Sequence, residues 1–358
     1  MNKEFDSFEL KNFNCEDQIN LDQEFGYLKI MRSDDNLLTL IEDSEYKKID
    51  QSKTTFSDYF NRESALGFVL DIGIEKIKYL SRGSSFYFGT KLKNNNENKK
   101  ITQKDYDKDL FAKIGNSFRK GFQSGDSDKE IQVIKFQNIL GIYNNACLLF
   151  PGFHSESYLN LMRIIDTIAD IKYGKGIDFA IFVTEISDKI NKDVFISITN
   201  LDALKNRVEV SNKIFNYQLK LLVDNNNKNK NIKKEKVIDT MNNFKAEDKL
   251  MFSLFFSLYQ YRNQNVHKGF PFPDIIKDSF KTECNKDVPY ISFASGQSWA
   301  RYNRPNENMK EEDFIDIHES LKSIKNVFKD QYFILLPTWY FLKKIARQAI
   351  LNQLNKLT

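Results

Sequence analysis

Leu250-Met251-Phe252-Ser253-Leu254-Phe255-Phe256-Ser257-Leu258-Tyr259-Gln260-Tyr261-Arg262-Asn263-Gln264-Asn265-Val266-His267-Lys268-Gly269 is the stretch on which the fold turns. Leu250, Met251, Leu254, Phe255, Leu258 and Tyr259 recur at three- and four-residue spacing and so line one face of an amphipathic helix. Gly269, Pro271 and Pro273 stop it, because glycine accepts the left-handed turn that ends helices and proline has no amide to continue one.

The same periodicity extends in both directions. Phe136, Ile139, Leu140, Tyr143, Cys147 and Leu148 form one stripe, and Tyr158, Leu161, Met162, Ile165, Ile168 and Ala169 a second, joined near Pro151-Gly152 as two packed helices. Phe314, Ile317, Leu321, Ile324 and Phe328 predict a further helix. Another starts at Thr338 and presents Leu342, Ile345, Ala346, Ala349, Ile350 and Leu354. The C-terminal two thirds reads as a helical bundle. Towards the N-terminus the pattern shortens to strands: Tyr27 to Met31 and Leu37 to Ile41 flank the turn-forming Ser33-Asp34-Asp35-Asn36, and Ser85 to Gly89 is another β-rich piece. The expected class is α+β. A small β-containing region, 1–125, precedes a helical domain, 126–358, with insertions near 225–234 and 270–308. Two Asn/Lys runs, Lys93 to Lys100 and Asn225 to Asn231, bury no apolar area to offset their ordering entropy and are expected as exposed loops.

Composition narrows the classes. A chain of 358 residues with 41% hydrophobic content supports a packed core and excludes global disorder. Its 31 Phe and 16 Tyr against 14 Gly and 6 Pro favour aromatic packing with few forced turns. A net charge of +4 is too small to mark a nucleic-acid or membrane protein by bulk charge, so any basic site is local. Cys15, Cys147 and Cys284 form no C-x-x-C pair and fit a reducing compartment. Met1 to Asp6 opens no secretory signal, and no apolar run reaches the roughly 20 residues of a membrane span. A cytoplasmic protein with no membrane association is expected.

Walker, G-x-G-x-x-G, H-E-x-x-H and G-x-S-x-G signatures are all missing, and three histidines without paired cysteines leave few ligands for a metal. Neither metal nor cofactor is expected. What remains is Arg262-Asn263-Gln264-Asn265-Val266-His267, whose components suit phosphodiester chemistry. A forked guanidinium binds phosphate and the added charge of a pentacoordinate transition state, an imidazole moves the proton, and an amide orients either. With ten Arg and three His in the chain, an Arg followed five residues later by a His arises by chance about 0.08 times. The alternative is structural: Arg262 caps helix carbonyls and His267 sits in the final turn beside Lys268. Residues five apart lie some 140° around a regular helix and roughly 7.5 Å along it, so they do not share a face. Either the helix loosens before Gly269, or a second copy brings its own pair across a two-fold axis.

In the order aromatic-x-x-Tyr-x-x-Arg-Asn-x-x-x-His-x-Gly, this segment resembles the HEPN superfamily, and within it the Apea-like branch. The resemblance spans roughly Phe136 to Leu354, with Trp339 to Leu354 as the closing helix. It implies a dimeric, metal-independent endoribonuclease, often a toxin or a phage-defence protein, in which the 2′-hydroxyl attacks the adjacent phosphate. Arg262 would then stabilise phosphate charge, His267 act as acid or base, and Asn263 position them. The Asn-rich insertion and the segment from Phe270 to Asn308 depart from that pattern. Asp166 and Asp170 stand where the family often places a carboxylate facing the motif. Each either pairs with Arg262 or occupies a solvated helix flank.

Trp299-Ala300-Arg301-Tyr302-Asn303-Arg304 interleaves aromatic and basic groups able to stack bases and hold phosphates of single-stranded RNA. Trp299, Arg301, Tyr302, Arg304 and Lys268 are therefore candidate RNA contacts, against the alternative of a loop packing Trp299 on the bundle. Lys113, Arg119 and Lys120 read as a solvated helix face, His154 as a loop residue and His318 as a boundary residue. Three functions compete: a ribonuclease acting on single-stranded RNA as a homodimer through the motif helix, with an antitoxin or regulatory partner; a non-catalytic HEPN-like module binding RNA, nucleotide or protein; and a docking protein with an aromatic surface.

Overall fold

The computed structural model describes residues 18–21, 28–32, 38–42, 62–80, 86–93, 103–169, 175–187, 212, 214–224, 226, 232–268, 272, 290–293 and 334–358. They are mostly helical, consistent with the expected bundle. By contacts the chain divides into one compact unit of residues 1–160 and 350–358 and another of 161–349. The expected boundary at 125/126 falls inside the first.

In the first unit, the backbones of β1 (Gln18–Leu21), β2 (Leu28–Arg32) and β3 (Leu38–Glu42) pair antiparallel, with Ile30 opposite Ile19 on one side and Leu40 on the other. Helix α1 (Arg62–Leu70) leads into a hairpin of β4 (Gly73–Leu80) and β5 (Phe86–Lys93). α1 packs on α2 (Lys108–Gln123) and α3 (Ser127–Leu149). Phe68 meets Tyr143 edge-on at 5.2 Å, and the Tyr143 hydroxyl donates to Asp71, which turns out of α1 at φ 61°. Gly125 takes φ 65°, a backbone that costs glycine little, and so ends α2. Asp126 can then cap α3, its carboxylate accepting from the amide of Asp128 at 3.0 Å. Of the expected stripe, Phe136, Ile139, Leu140, Tyr143 and Cys147 are buried and Leu148 is half-buried.

The break at 150–153 leads into α4 (His154–Ile168); of its expected stripe Tyr158, Leu161, Met162, Ile165 and Ala169 are buried and Ile168 is half-buried. His154 is the first residue of that helix and not a loop residue, because the chain re-enters helix directly after Phe153.

The second unit is organised around a long helix. It contains α5 (Lys175–Ser187), a helical stretch at 214–224, α6 (Ile232–Asn242), α7 (Ala246–Lys268), the antiparallel pair β6 (Tyr290–Phe293) and β7 (Ile334–Pro337), and most of α8 (Trp339–Leu357). α7 starts where the Asp248 carboxylate accepts the Lys245 amide at 2.9 Å, with Glu247 beside it at the positive end of the helix dipole. α8 starts where Thr338 Oγ1 accepts the Phe341 amide at 3.3 Å, and Leu342, Ile345, Ala346, Ala349, Ile350 and Leu354 are buried. α7 lies against α5 and β7. Its aromatic residues reach further neighbours: Phe252 meets Phe215 edge-on at 5.4 Å, and Phe255 meets Phe341 at 6.3 Å.

One expectation is overturned here. α7 is not a one-faced helix, since every residue from Leu250 to Tyr259 is buried. Phe252, Ser253, Phe256 and Ser257 occupy the other side, and a helix apolar or small all round belongs inside a core. A second correction concerns the Asn-rich run 225–231, expected as an exposed loop. Asn226 is helical and 8% exposed; the rest of that run, and 94–100 of the other, lie outside the described residues. The predicted helix from Phe314 to Phe328, with His318, also lies outside them.

Candidate functional site

The last turns of α7 leave the core. Tyr261 is still buried, its ring 5.1 Å from that of Phe272; Arg262 and Asn263 are half-buried, and Val266 and His267 are exposed. The position of these residues follows from the packing behind them. Gly176 on α5 lets that helix approach closely, since a Cβ there would stand 3.3 Å from Tyr259 Cδ1 and 3.3 Å from Gln260 Nε2. Phe179, one turn further along α5, holds the Tyr259 ring at 5.3 Å. The Tyr259 ring is therefore clamped, and it forms the floor under Arg262, whose guanidinium carbon lies 5.5 Å from the ring centre.

Two polar partners flank the guanidinium. Asp166, on α4, places Oδ2 3.9 Å from Arg262 Nη2, with the two side chains 24% and 29% exposed. Arg262 Nη1 donates a long hydrogen bond of 3.4 Å to Asn263 Oδ1. Neither contact has the roughly 2.7–2.9 Å length of a strong charge-assisted hydrogen bond. The fork is thus oriented by three neighbours without having its five N–H donors consumed. A phosphate arriving from the exposed side would find a cation whose side-chain entropy has largely been spent already.

His267 is placed differently. α7 remains helical through Lys268, so the loosening that would swing His267 back does not occur. The regular helix sets it about 140° around and roughly 7.5 Å along from Arg262. Arg262, Asn263 and Asp166 are brought together in one chain, and His267 stands apart from them on the exposed end. Asp170, Trp299, Arg301, Tyr302 and Arg304 lie outside the described residues, as does the side chain of Lys268. Lys113 reaches Asn355 at 2.6 Å, while Arg119 and Lys120 are exposed on α2. Among the described residues no group of three His, Cys, Asp or Glu is placed to hold a metal ion, and no helix is long and apolar enough to cross a membrane.

Sequence reasoning placed Tyr259 in the apolar stripe and at the tyrosine of the motif pattern but gave it no role in the site. Its signal was available, because a residue three positions before Arg262 must neighbour it on a helix. Burial pushes its phenol above the usual value of 10.0; the Asp166 charge pushes the same way and the Arg262 charge pulls back. The unfolded chain therefore surrenders this proton first. The associated stability is fully present below pH 10.0 and is lost as pH rises through the higher folded-state value. Urea midpoints of the wild type and Tyr259→Phe, compared at intervals upward from pH 9, are expected to show the wild type losing ground to the variant above about pH 10. A constant difference would remove this account of the phenol.

The chain matches no protein-family model, no curated protein and no solved structure.

Proposed function

We propose that the protein is a metal-independent endoribonuclease of the HEPN type, cleaving single-stranded RNA by attack of a 2′-hydroxyl on the adjacent phosphate. The observation that carries this reading is Arg262: a cation seated on Tyr259, flanked by Asp166 and Asn263, and held at the surface end of a buried helix. In this role the guanidinium neutralises the charge that grows on the phosphoryl oxygens as the 2′-oxygen adds, a term realised mainly in the transition state. His267 transfers the proton, taking it from the 2′-hydroxyl or giving it to the departing 5′-oxygen. Because one straight helix holds these groups on different faces, the working centre combines Arg262 of one chain with His267 of a second copy. The wider setting we favour is cytoplasmic phage defence or a toxin system, with 1–125 as a β-containing region that receives the signal or an antitoxin, completing an α+β architecture.

Purified protein is expected to cut mixed single-stranded RNA in the presence of EDTA, leaving 2′,3′-cyclic phosphate and 5′-hydroxyl ends, because the site supplies charge stabilisation and proton transfer from side chains. End-group analysis of the products reads this directly. Cleavage abolished by EDTA and restored by Mg²⁺ would contradict it, and binding of RNA without cleavage would favour a non-catalytic module.

A further inference from the structure

Asp166 stands beside Arg262 with its capacity to accept hydrogen bonds unspent. Among the described residues nothing donates to it: Oδ1 is buried without a partner, and Oδ2 faces Arg262 Nη2 across 3.9 Å, beyond the length of a charge-assisted bond. The side chain is 24% exposed and Oδ1 is the oxygen shut off from solvent, so a ligand over Arg262 can reach Oδ2. A carboxylate that served only to fix the guanidinium would close on it as a two-oxygen fork, the strongest form of that pair. Left open, it meets an incoming phosphate as a like charge and weakens ground-state binding. That arrangement suits a group that acts in the transition state, where added interactions raise the rate.

We infer that Asp166 is the catalytic base of this centre, its Oδ2 taking the proton of the ribose 2′-hydroxyl, and that His267 is the acid. The inference rests on the proposed ribonuclease function and assigns the two proton transfers of that function to two residues. In a near-attack arrangement the 2′-oxygen lies about 3–3.5 Å from the phosphorus, and so beside the phosphoryl oxygens that Arg262 holds. The group accepting the 2′ proton must then neighbour the guanidinium, as a carboxylate oxygen 3.9 Å from Nη2 does. The attacking and leaving oxygens of a phosphoryl transfer lie roughly in line, on opposite sides of phosphorus. Asp166 and Arg262 serve the attacking side; His267, on a different face of α7, is left for the other. The O2′–P bond forms as the proton passes to Asp166, and the P–O5′ bond breaks as the His267 imidazolium protonates the 5′-oxygen. The products are a 2′,3′-cyclic phosphate and a 5′-hydroxyl; proton exchange with water then resets both side chains.

The two roles are separated by an RNA strand in which sulfur replaces one bridging 5′-oxygen. Thiols are far more acidic than alcohols, so a thiolate departs without a proton and that strand needs a base but no acid. On ordinary RNA in EDTA, Asp166→Asn and His267→Ala are each expected to cut at least about 10²-fold more slowly than the wild type. On the sulfur strand His267→Ala is expected to come within about tenfold of the wild type, while Asp166→Asn keeps its full defect. Asn is isosteric with Asp and the pair is partly exposed, so the fold is not at stake. Asp166→Glu, which keeps a carboxylate, is expected to recover part of the lost rate. Affinity for a 2′-deoxyribose strand, which offers phosphates but no 2′-hydroxyl, is expected to hold or tighten in Asp166→Asn; a residue that only orients Arg262 would weaken it. The inference is overturned if Asp166→Asn cuts ordinary RNA within about threefold of the wild type, or if its loss of rate is matched by a loss of deoxy-strand affinity. It is equally overturned if the sulfur strand relieves the Asp166→Asn defect or fails to relieve that of His267→Ala. A wild type that cuts neither strand removes the ribonuclease function itself, and the base with it.

Discussion

His267→Ala is expected to lower RNA cleavage by at least about 10²-fold without moving the thermal midpoint, and Arg262→Ala by at least as much with a modest loss of stability. The two differ because of where the side chains sit. His267 is exposed on the last turn of α7, so truncating it exposes no cavity and strands no buried group. Arg262 faces Asp166, whose other oxygen is buried and unpaired, and sits over the Tyr259 ring. Removing the guanidinium leaves the carboxylate less compensated, at a cost of about 1 kcal/mol for a pair this exposed. Single-turnover cleavage rates and thermal melts read both quantities on the same preparations. Full activity in His267→Ala would return that residue to a helix-end role and remove the proton carrier from the proposed mechanism.

Mixing Arg262→Ala chains with His267→Ala chains is expected to restore activity to about a quarter of the wild-type level. Random exchange makes half of the dimers mixed, and each mixed dimer assembles one centre in which the surviving Arg262 meets the surviving His267 of the other copy. Against two parents at least about 10²-fold impaired, that is a rise of more than about tenfold. A sedimenting monomer that still cleaves RNA, or a mixture no better than its parents, excludes the shared centre. Support for the dimer comes from the helical offset of Arg262 and His267. The apolar face from Leu250 to Tyr259 no longer contributes, because α5, β7, Phe215 and Phe341 already cover it within the chain. Any contact between copies along α7 would have to use its outer end, where Val266 is 51% exposed beside His267.

What lay in the sequence alone was local. Spacing marked α3, α4, α7 and α8, because i, i+3 and i+4 positions must share a face whatever they later touch. Gly125 and Asp126 wrote the turn between α2 and α3 in residues that accept a left-handed backbone and cap a helix. Arg262, Asn263 and His267 announced phosphate chemistry by their functional groups, and their five-residue offset already denied them a common face. Phe252 and Phe256 were equally legible, and would have marked α7 as buried all round had both sides been counted. Tertiary structure decided the rest. That Asp166 meets Arg262, 96 residues further along the chain, is a relation that no local rule encodes. The place of Tyr259 as the floor under Arg262 depends on Gly176 and Phe179 pressing from α5. Periodicity fixes which way a side chain points from its own helix; only packing supplies the neighbour it finds there, and so the burial and charge that set its chemistry.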